Sequence, residues 1–536
     1  MRLKYMLGII LIAALHQSNC QRPHRFSEDS SQDNALDIVA DSVTNLAQKI
    51  SRVIVGDRSK TEIFSPVSIA GALSLLLLGS GGTTRTELME LMGFSNSTIR
   101  FTEIHKGFGK LFGELVSNNP SLKANVPWRE NDTCNNVDYD DFTDSRSSFQ
   151  KETKGRRHRR DADNAVEVDI GNGLFAQYGK MFDEKYQKLA EELYRSNMML
   201  LNFSTSPQKS AAFINDWVRE RTRGKIPEIV SQLDSDTMLV IANTLFFKGE
   251  WDEPFLKDGT KARKFFPNGP QEPGIDVPMM VHGGCFPYYF WKEADVRVLG
   301  IPYKRNYTMY IFMPNDSDRR KLNGLREKLS ANNVNDIIAK MDIKTASIQF
   351  PKMHMINSFN LKQVFQQLGA FGIFDRSKSD LNRILAGPGA ISRVDVTNLN
   401  DLLDFVDDSK ESAQKKLLEM FPDCGTVIEK DVDSKQKCEK KLECRFGGET
   451  CLCCAKTFGF RKRRDAGEGL FVNEVIHKID VVVNEKGTEG GAVTATLLDR
   501  ITPQVNFRAN GPFIMMIRDE STKLPLFYGS VYEPTS

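Results

Sequence analysis

Apolar residues fall into runs of distinct period along this chain. Ser65 to Leu78, SPVSIAGALSLLLL, is apolar on nearly every side, which predicts a buried helix with Pro66 in its first turn. From Ala211 to Arg223 the apolar positions follow an amphipathic helical pattern and stop at Gly224. MLVIANTLFFKGEW, from Met238, reads as a buried strand, and Lys478–Val483 alternates with Ile479, Val481 and Val483 on one face. NFRANGPFIMMIRD and PLFYGSVYEP predict C-terminal strands. Helices dominate early and strands late, so the fold class is α+β with at least one large sheet.

Two stretches break this pattern and read as insertions into one host domain. Residues 116–164 are polar, acid-rich and end in KGRRHRRDADN. Residues 387–468 open with LNDLLDFV and SAQKKLLEMF, which predict short amphipathic helices, continue into a cysteine cluster and end in FRKRRDAGE. Each closes on a basic cluster followed by Asp-Ala. Arg156–Arg160 and Arg461–Arg464 fit the R-x-[KR]-R preference of secretory proprotein convertases, which places cleavage after Arg160 and Arg464. The alternative is a solvated charge run or a patch for sulfated glycans.

The chain has 536 residues and a formal net charge of +2, so charge gives no basis for a nucleic-acid partner. Residues 1–20 read as a secretory signal peptide: basic residues lead into an apolar core, Met6–Leu15, too short to span a bilayer comfortably. No second run of spanning length follows, and the expected product is soluble, secreted and extracellular. Asn96, Asn131, Asn202, Asn306 and Asn315 are glycosylation sequons consistent with that compartment. Cys424, Cys438, Cys444, Cys451, Cys453 and Cys454 read as a disulfide-stapled module; six cysteines allow fifteen pairings. A zinc site is the rival reading, disfavoured by the compartment and by the lack of a His in the cluster. Cys134 and Cys285 lie outside the cluster, as a pair or as free thiols.

Asn484–Thr496, NEKGTEGGAVTAT, follows the alternating strand with almost no bulk. Gly487, Gly490 and Gly491 oppose a helix, while Val493, Thr494 and Thr496 suit a strand. Such a segment can be loop in one state and strand in another.

These motifs together resemble the serpins, over roughly 36–115, 165–386 and 469–534 within a domain spanning 36–534. The carriers are FSPVSIAGALSLLLLGSGGTTRTEL, INDWVRERTRGKI, LDSDTMLVIANTLFFKGEWDEPF, VPMM, FPYY, VIHKIDVVVNEKGTEGGAVTAT and FRANGPFIMMIRDESTKLPLFYGSVYEP. The resemblance implies three β-sheets, about nine helices and an exposed reactive-centre loop, here 484–504. It implies inhibition of a serine protease by a suicide-substrate route, with no catalytic residue and no cofactor or metal in the inhibitor. It also implies a buried polar cluster under the moving sheet, matched by Ser65, Ser68, Asn243 and His477, and an aromatic where insertion begins, matched by Trp251. The hinge matches Glu485, Gly487, Thr488, Glu489, Gly490, Gly491 and Ala492.

The scissile bond is less directly placed, because counting from the two ends of the loop gives different answers. Arg500 is the basic residue of the exposed stretch LLDRITPQ and fits a trypsin-like pocket, so the bond is read as Arg500–Ile501. Leu498 and Ile501 are the alternatives. The function expected is inhibition of a trypsin-like serine protease in an extracellular cascade of the melanization or Toll type, by a monomer without nucleic-acid or membrane partners. A non-inhibitory binding or storage serpin, or a carrier that releases the cysteine-rich peptide at Arg464, are the alternatives. The helix around Lys106 and Lys110 is not notably basic, so a glycosaminoglycan contact would rest on the basic runs.

Overall fold

The computed structural model describes residues 28–54, 59–124, 126–130, 166–386, 427–430, 441–446, 449–454, 470–488 and 503–534; for the three stretches between 427 and 454 the description is of backbone alone. The apolar run at Ser65 becomes the helix Pro66–Gly79, every residue of which is buried. Ser65 caps it, its side chain accepting from the Ser68 N–H. The amphipathic segment becomes the helix Pro207–Arg221, and the chain turns out at Gly224 with φ of 83°. Its Ile214, Trp217 and Val218 pack on Phe175, Val240 and Ala242 of a sheet below.

Nine strands form one hydrogen-bonded sheet, eight of them along a single path. It runs Thr61–Phe64, Pro525–Val531, Phe513–Asp519, Tyr307–Pro314, Val296–Pro302, Ile275–Trp291, Asp342–Pro351 and Val505–Arg508, with Lys261–Phe265 attached to Ile275–Trp291. VPMM and FPYY both belong to the one strand Ile275–Trp291. Its Met279–Tyr288 portion pairs with Asp342–Pro351 and its Tyr288–Trp291 end with Val296–Leu299, so two sheets share it. Counted with the six-stranded sheet below, these make the three sheets expected of the host. The segment read as one strand, NFRANGPFIMMIRD, is two: Val505–Arg508 pairs parallel with Asp342–Pro351, and Phe513–Asp519 crosses to the buried centre. Pro512, which has no N–H to donate, lies in the break.

The second sheet has six strands, ordered Met353–Asn360, Glu474–Val483, Leu239–Glu250, Val166–Gln177 and Ser196–Leu201, with Gly487–Thr488 also on Leu239–Glu250. Below, Leu239–Glu250 is the central strand and Glu474–Val483 the hinge strand. A small antiparallel sheet of Val427–Lys430, Lys441–Phe446 and Glu449–Cys454 lies within the cysteine-rich stretch.

Candidate functional site: a split sheet, its hinge and its gate

The central and hinge strands are neighbours, yet they are bonded along only part of their length. The parallel pairing covers Glu474–His477 against Val240–Asn243 and then stops. On its far side the central strand is paired with Val166–Gln177 from Leu239 to Gly249, and the hinge strand with Met353–Asn360 up to Val483. Between Thr244–Lys248 and Lys478–Val483 the two facing edges have no ladder among the described residues. Backbone donors and acceptors on such edges are a template for another strand.

Gly487 and Thr488, read from the sequence as hinge residues, lie at the mouth of this split. Gly487 and Thr488 pair antiparallel with Glu250 and Gly249. A Cβ at Gly487 would fall 2.0 Å from the Gly249 carbonyl oxygen, and φ there is 148°, so only glycine fits so close a backbone approach. Thr488 is 2% exposed, and its hydroxyl and that of Tyr303 are 2.9 Å apart. Tyr303 stacks on Trp251 with ring centroids 4.1 Å apart. The Trp251 indole N–H donates to the Asn484 carbonyl at 2.9 Å, and its backbone N–H donates to that of Lys486 at 3.0 Å. Glu485 is held from the other side: Lys352 Nζ lies 3.1 Å from its Oε2, and the Thr260 hydroxyl donates to its Oε1 at 2.8 Å. Burial pushes the Glu485 carboxyl up, but the bonds from Thr260 and Lys352 outweigh it and hold the group below its ordinary range. The hinge thus rests in a seat of specific hydrogen bonds.

A buried polar chain lies where the split closes. The Ser65 backbone N–H donates to His477 Nε2 at 2.9 Å, and the Ser68 N–H donates to Ser65 Oγ at 3.3 Å. With Nε2 accepting, the neutral ring carries its proton on Nδ1, which finds no partner among the described residues, as is true of Ser68 Oγ. His477 and Asn243 are register partners in the last pair before the split. The Asn243 amide donates to Asn172 Oδ1, Asn172 Nδ2 donates to the Tyr194 carbonyl at 2.9 Å, and the Tyr194 hydroxyl meets His105 Nδ1. The polar line therefore runs beyond the four residues read from the sequence to Asn172, Tyr194 and His105. Asn172 sits between two glycines, which as a sequence signals a turn. In the fold those glycines leave room for Trp217: a Cβ at Gly171 would stand 3.2 Å from that ring and one at Gly173 2.9 Å.

Burial lowers the His477 pKa to about 3, and His105, buried beside Arg85, is also lowered to about 3. An unfolded or opened His titrates near 6.5. Stability from a histidine kept neutral is therefore complete above pH 6.5 and is lost as pH falls from 6.5 toward 3. At pH 5 each histidine accounts for a loss of about 2 kcal/mol in any state comparison that exposes it. The melting temperature should fall steeply between pH 6.5 and 5. His477→Gln keeps an acceptor for Ser65 and removes one titration, so it should flatten that fall, against which Asp519, its carboxyl raised by burial to about 6, already works. An unchanged slope would remove His477 from the acid response.

The other residues singled out in the sequence are scattered. Asn96 and Asn202 are exposed. Asn306 and Asn315 are half-buried and their side-chain amides donate to Ser521 and to Asp295. Cys285 is disulfide-bonded. Asn131, Arg160, Arg464, Cys134, Cys424, Cys438, Glu489, Gly490, Gly491, Ala492, Leu498, Arg500 and Ile501 lie outside the described residues. Among the described residues no helix is long and apolar enough to cross a membrane, and no cluster of His, Cys, Asp or Glu could hold a metal ion.

Comparison with known proteins names this arrangement. The profile of the family Serpin (serine protease inhibitor) matches residues 41–396 and 455–534, so the chain belongs to the serpins. The match breaks between those segments, where the cysteine-rich stretch lies. Serine protease inhibitor 28Dc of Drosophila melanogaster is 31% identical over 501 residues, covering 93% of this chain and 80% of that protein. Alpha-1-antitrypsin 1-3 of Mus musculus is 25% identical over 537 residues, covering 98% of each. Among solved structures, human thyroxine-binding globulin superposes with a TM-score of 0.64 at 19% identity, covering 94% of this chain and all of that one. Human kallistatin gives 0.62 at 21% identity, covering 94% and 99%. These structural likenesses bear on the fold alone. Family membership supports protease inhibition as the activity of the chain.

Proposed function

We propose that the chain is a secreted inhibitor of a trypsin-like serine protease, acting by insertion of its cleaved loop, in an extracellular cascade of the melanization or Toll type. The observation that carries this reading is the split between the central and hinge strands with Gly487 and Thr488 seated at its mouth. Continuing their antiparallel register places Glu489 opposite Lys248 and Val493 opposite Thr244. Those residues fill edges that are unpaired and displace nothing. Thr494 falls opposite Asn243, so it is the first loop residue that must break the parallel ladder beside His477. Thr488, Gly490, Ala492, Thr494 and Thr496 share the inward face, and none is charged or large.

The protease serine attacks the carbonyl of the residue before the scissile bond, the new amino terminus departs, and the acyl-linked strand is free to zip downward. The gain is a completed ladder on both edges of the split, held off beforehand by the intact loop. The proposed inhibitor is a monomer; its basic runs, residues 156–160 and 461–464, are the candidate contact for sulfated glycans and the candidate convertase sites.

The test is to mix the secreted protein with trypsin-like proteases and run the products in SDS. A covalent complex and a higher melting temperature after loop cleavage are expected. Cleavage without a complex would instead favour a binding serpin, a reading that Gly490 and Gly491 support by weakening a strand relative to bulkier residues.

A further inference from the structure

We propose that Cys444 and Cys451 are joined by a cross-strand disulfide that staples the hairpin of the cysteine-rich insertion. The strands Lys441–Phe446 and Glu449–Cys454 are antiparallel, and in their register Cys444 is the Cα partner of Cys451. Direct partners across an antiparallel pair lie roughly 4.5–5.5 Å apart at Cα, within the roughly 4.4–6.8 Å that a disulfide spans. The other two cysteines of the same strand do not meet these terms. Cys453 pairs with Leu442 and is a diagonal neighbour of Cys444, about 7–8 Å away. Cys454 pairs with Lys441 and belongs to the opposite face. The central strand of this small sheet also carries Val427 as its partner to Cys444 on the other side, which supplies no competing thiol.

This assignment shortens the list of possible maps. Four cysteines then remain, Cys424, Cys438, Cys453 and Cys454, with about three pairings among them. Cys453 and Cys454 are adjacent, with Cα atoms about 3.8 Å apart, below the disulfide range. Cys453 and Cys454 therefore take separate partners. The segment after Arg464 has no cysteine, so no disulfide ties it to the rest of the chain.

Formation of the bond removes two protons and two electrons from the two thiols. A small disulfide such as oxidised glutathione takes the electrons and leaves as two thiols. The pairing rests on the reading that the chain meets such an oxidant in the secretory route, and the experiment separates the two claims. The full-length chain is equilibrated in a reduced and oxidised glutathione buffer, its free thiols are alkylated, and it is digested with trypsin without reduction. Cys444 lies in the tryptic peptide LECR, and Cys451, Cys453 and Cys454 lie in FGGETCLCCAK.

The expected result is LECR bonded directly to Cys451 of FGGETCLCCAK, within a linked cluster that also holds the peptides bonded to Cys453 and Cys454, with fragmentation placing the bond at Cys451. The variant Cys451→Ala should leave Cys444 as an alkylated thiol. LECR found alkylated in the wild type, bonded directly to Cys453 or Cys454, or bonded directly to Cys424 or Cys438 would overturn the proposal. The same map on the chain made by a secretory host reports on secretion: chain kept inside the cells with free thiols, with the pair formed in glutathione buffer, would count against secretion and not against the pairing.

Discussion

Replacing Thr488 by Arg should turn the inhibitor into a substrate. Thr488 is 2% exposed and its hydroxyl meets that of Tyr303, the ring stacked on Trp251, at 2.9 Å. In the proposed mechanism strand insertion begins from this residue and keeps it on the inward face. Burying a charge without a partner costs of the order of 3–5 kcal/mol, so an Arg there would lift the segment out of its seat in the uncleaved chain, and insertion would then incur that cost. The acyl-enzyme faces two competing steps, insertion of the loop and hydrolysis of the acyl bond. A barrier raised by that amount slows insertion by about 10² to 10³-fold, so hydrolysis wins. The protease should cut the loop, leave active and form no SDS-stable complex. Cleavage should also bring no rise in melting temperature. Thr488→Ser, small and able to reach Tyr303, should still trap the enzyme. A covalent complex formed by Thr488→Arg at the wild-type yield would mean that the loop does not enter through this seat.

Much of this machinery could be read in the sequence because it rests on local pattern. The helix Pro66–Gly79 is written in an apolar run with Ser-Pro ahead of it, and the hinge strand in strict alternation that keeps Val481 and Val483 buried. Two features could not be read that way. The split depends on where pairing between the central and hinge strands stops, and these strands are more than two hundred residues apart in the chain. Nothing in MLVIANTLFFKGEW says that its second half lacks a partner on one edge. Asn172, Tyr194 and Tyr303 are invisible for a similar reason: each is an ordinary residue in its own segment and acquires its role from a distant one. A family resemblance pointed to Ser65, Ser68, Asn243 and His477, but the polar line that joins Asn243 to His105 came from packing. The small sheet in the cysteine-rich stretch was likewise unread. Its cysteines drew the reading toward disulfide count, and count alone carries no register.

Arg500→Ala should abolish inhibition of trypsin-like enzymes while leaving the insertion machinery intact. The loop must be long enough for the acyl-linked residue to clear the sheet once it has zipped. In the register set by Gly487 and Thr488 against Glu250 and Gly249, Leu498 falls opposite Leu239, the first residue of the central strand. Arg500 then emerges just past the end of the ladder, which leaves the attached protease at the far edge with no sheet residue beneath its active site. Leu498 as the acyl residue would still be paired, and the protease would have to lie against the sheet itself. Charge supports the same choice, since a pocket built around a carboxylate leaves it buried and unpaired when Arg is removed, at a cost of about 3–5 kcal/mol. Association with a trypsin-like protease should therefore slow by about 10² to 10³-fold in Arg500→Ala and far less in Arg500→Lys. The alanine variant should still gain melting temperature when its loop is cut by an elastase-like enzyme, because Thr488 and the residues after it are untouched. Association with trypsin-like enzymes at the wild-type rate would move the reactive bond to Leu498 or Ile501 and the target class with it.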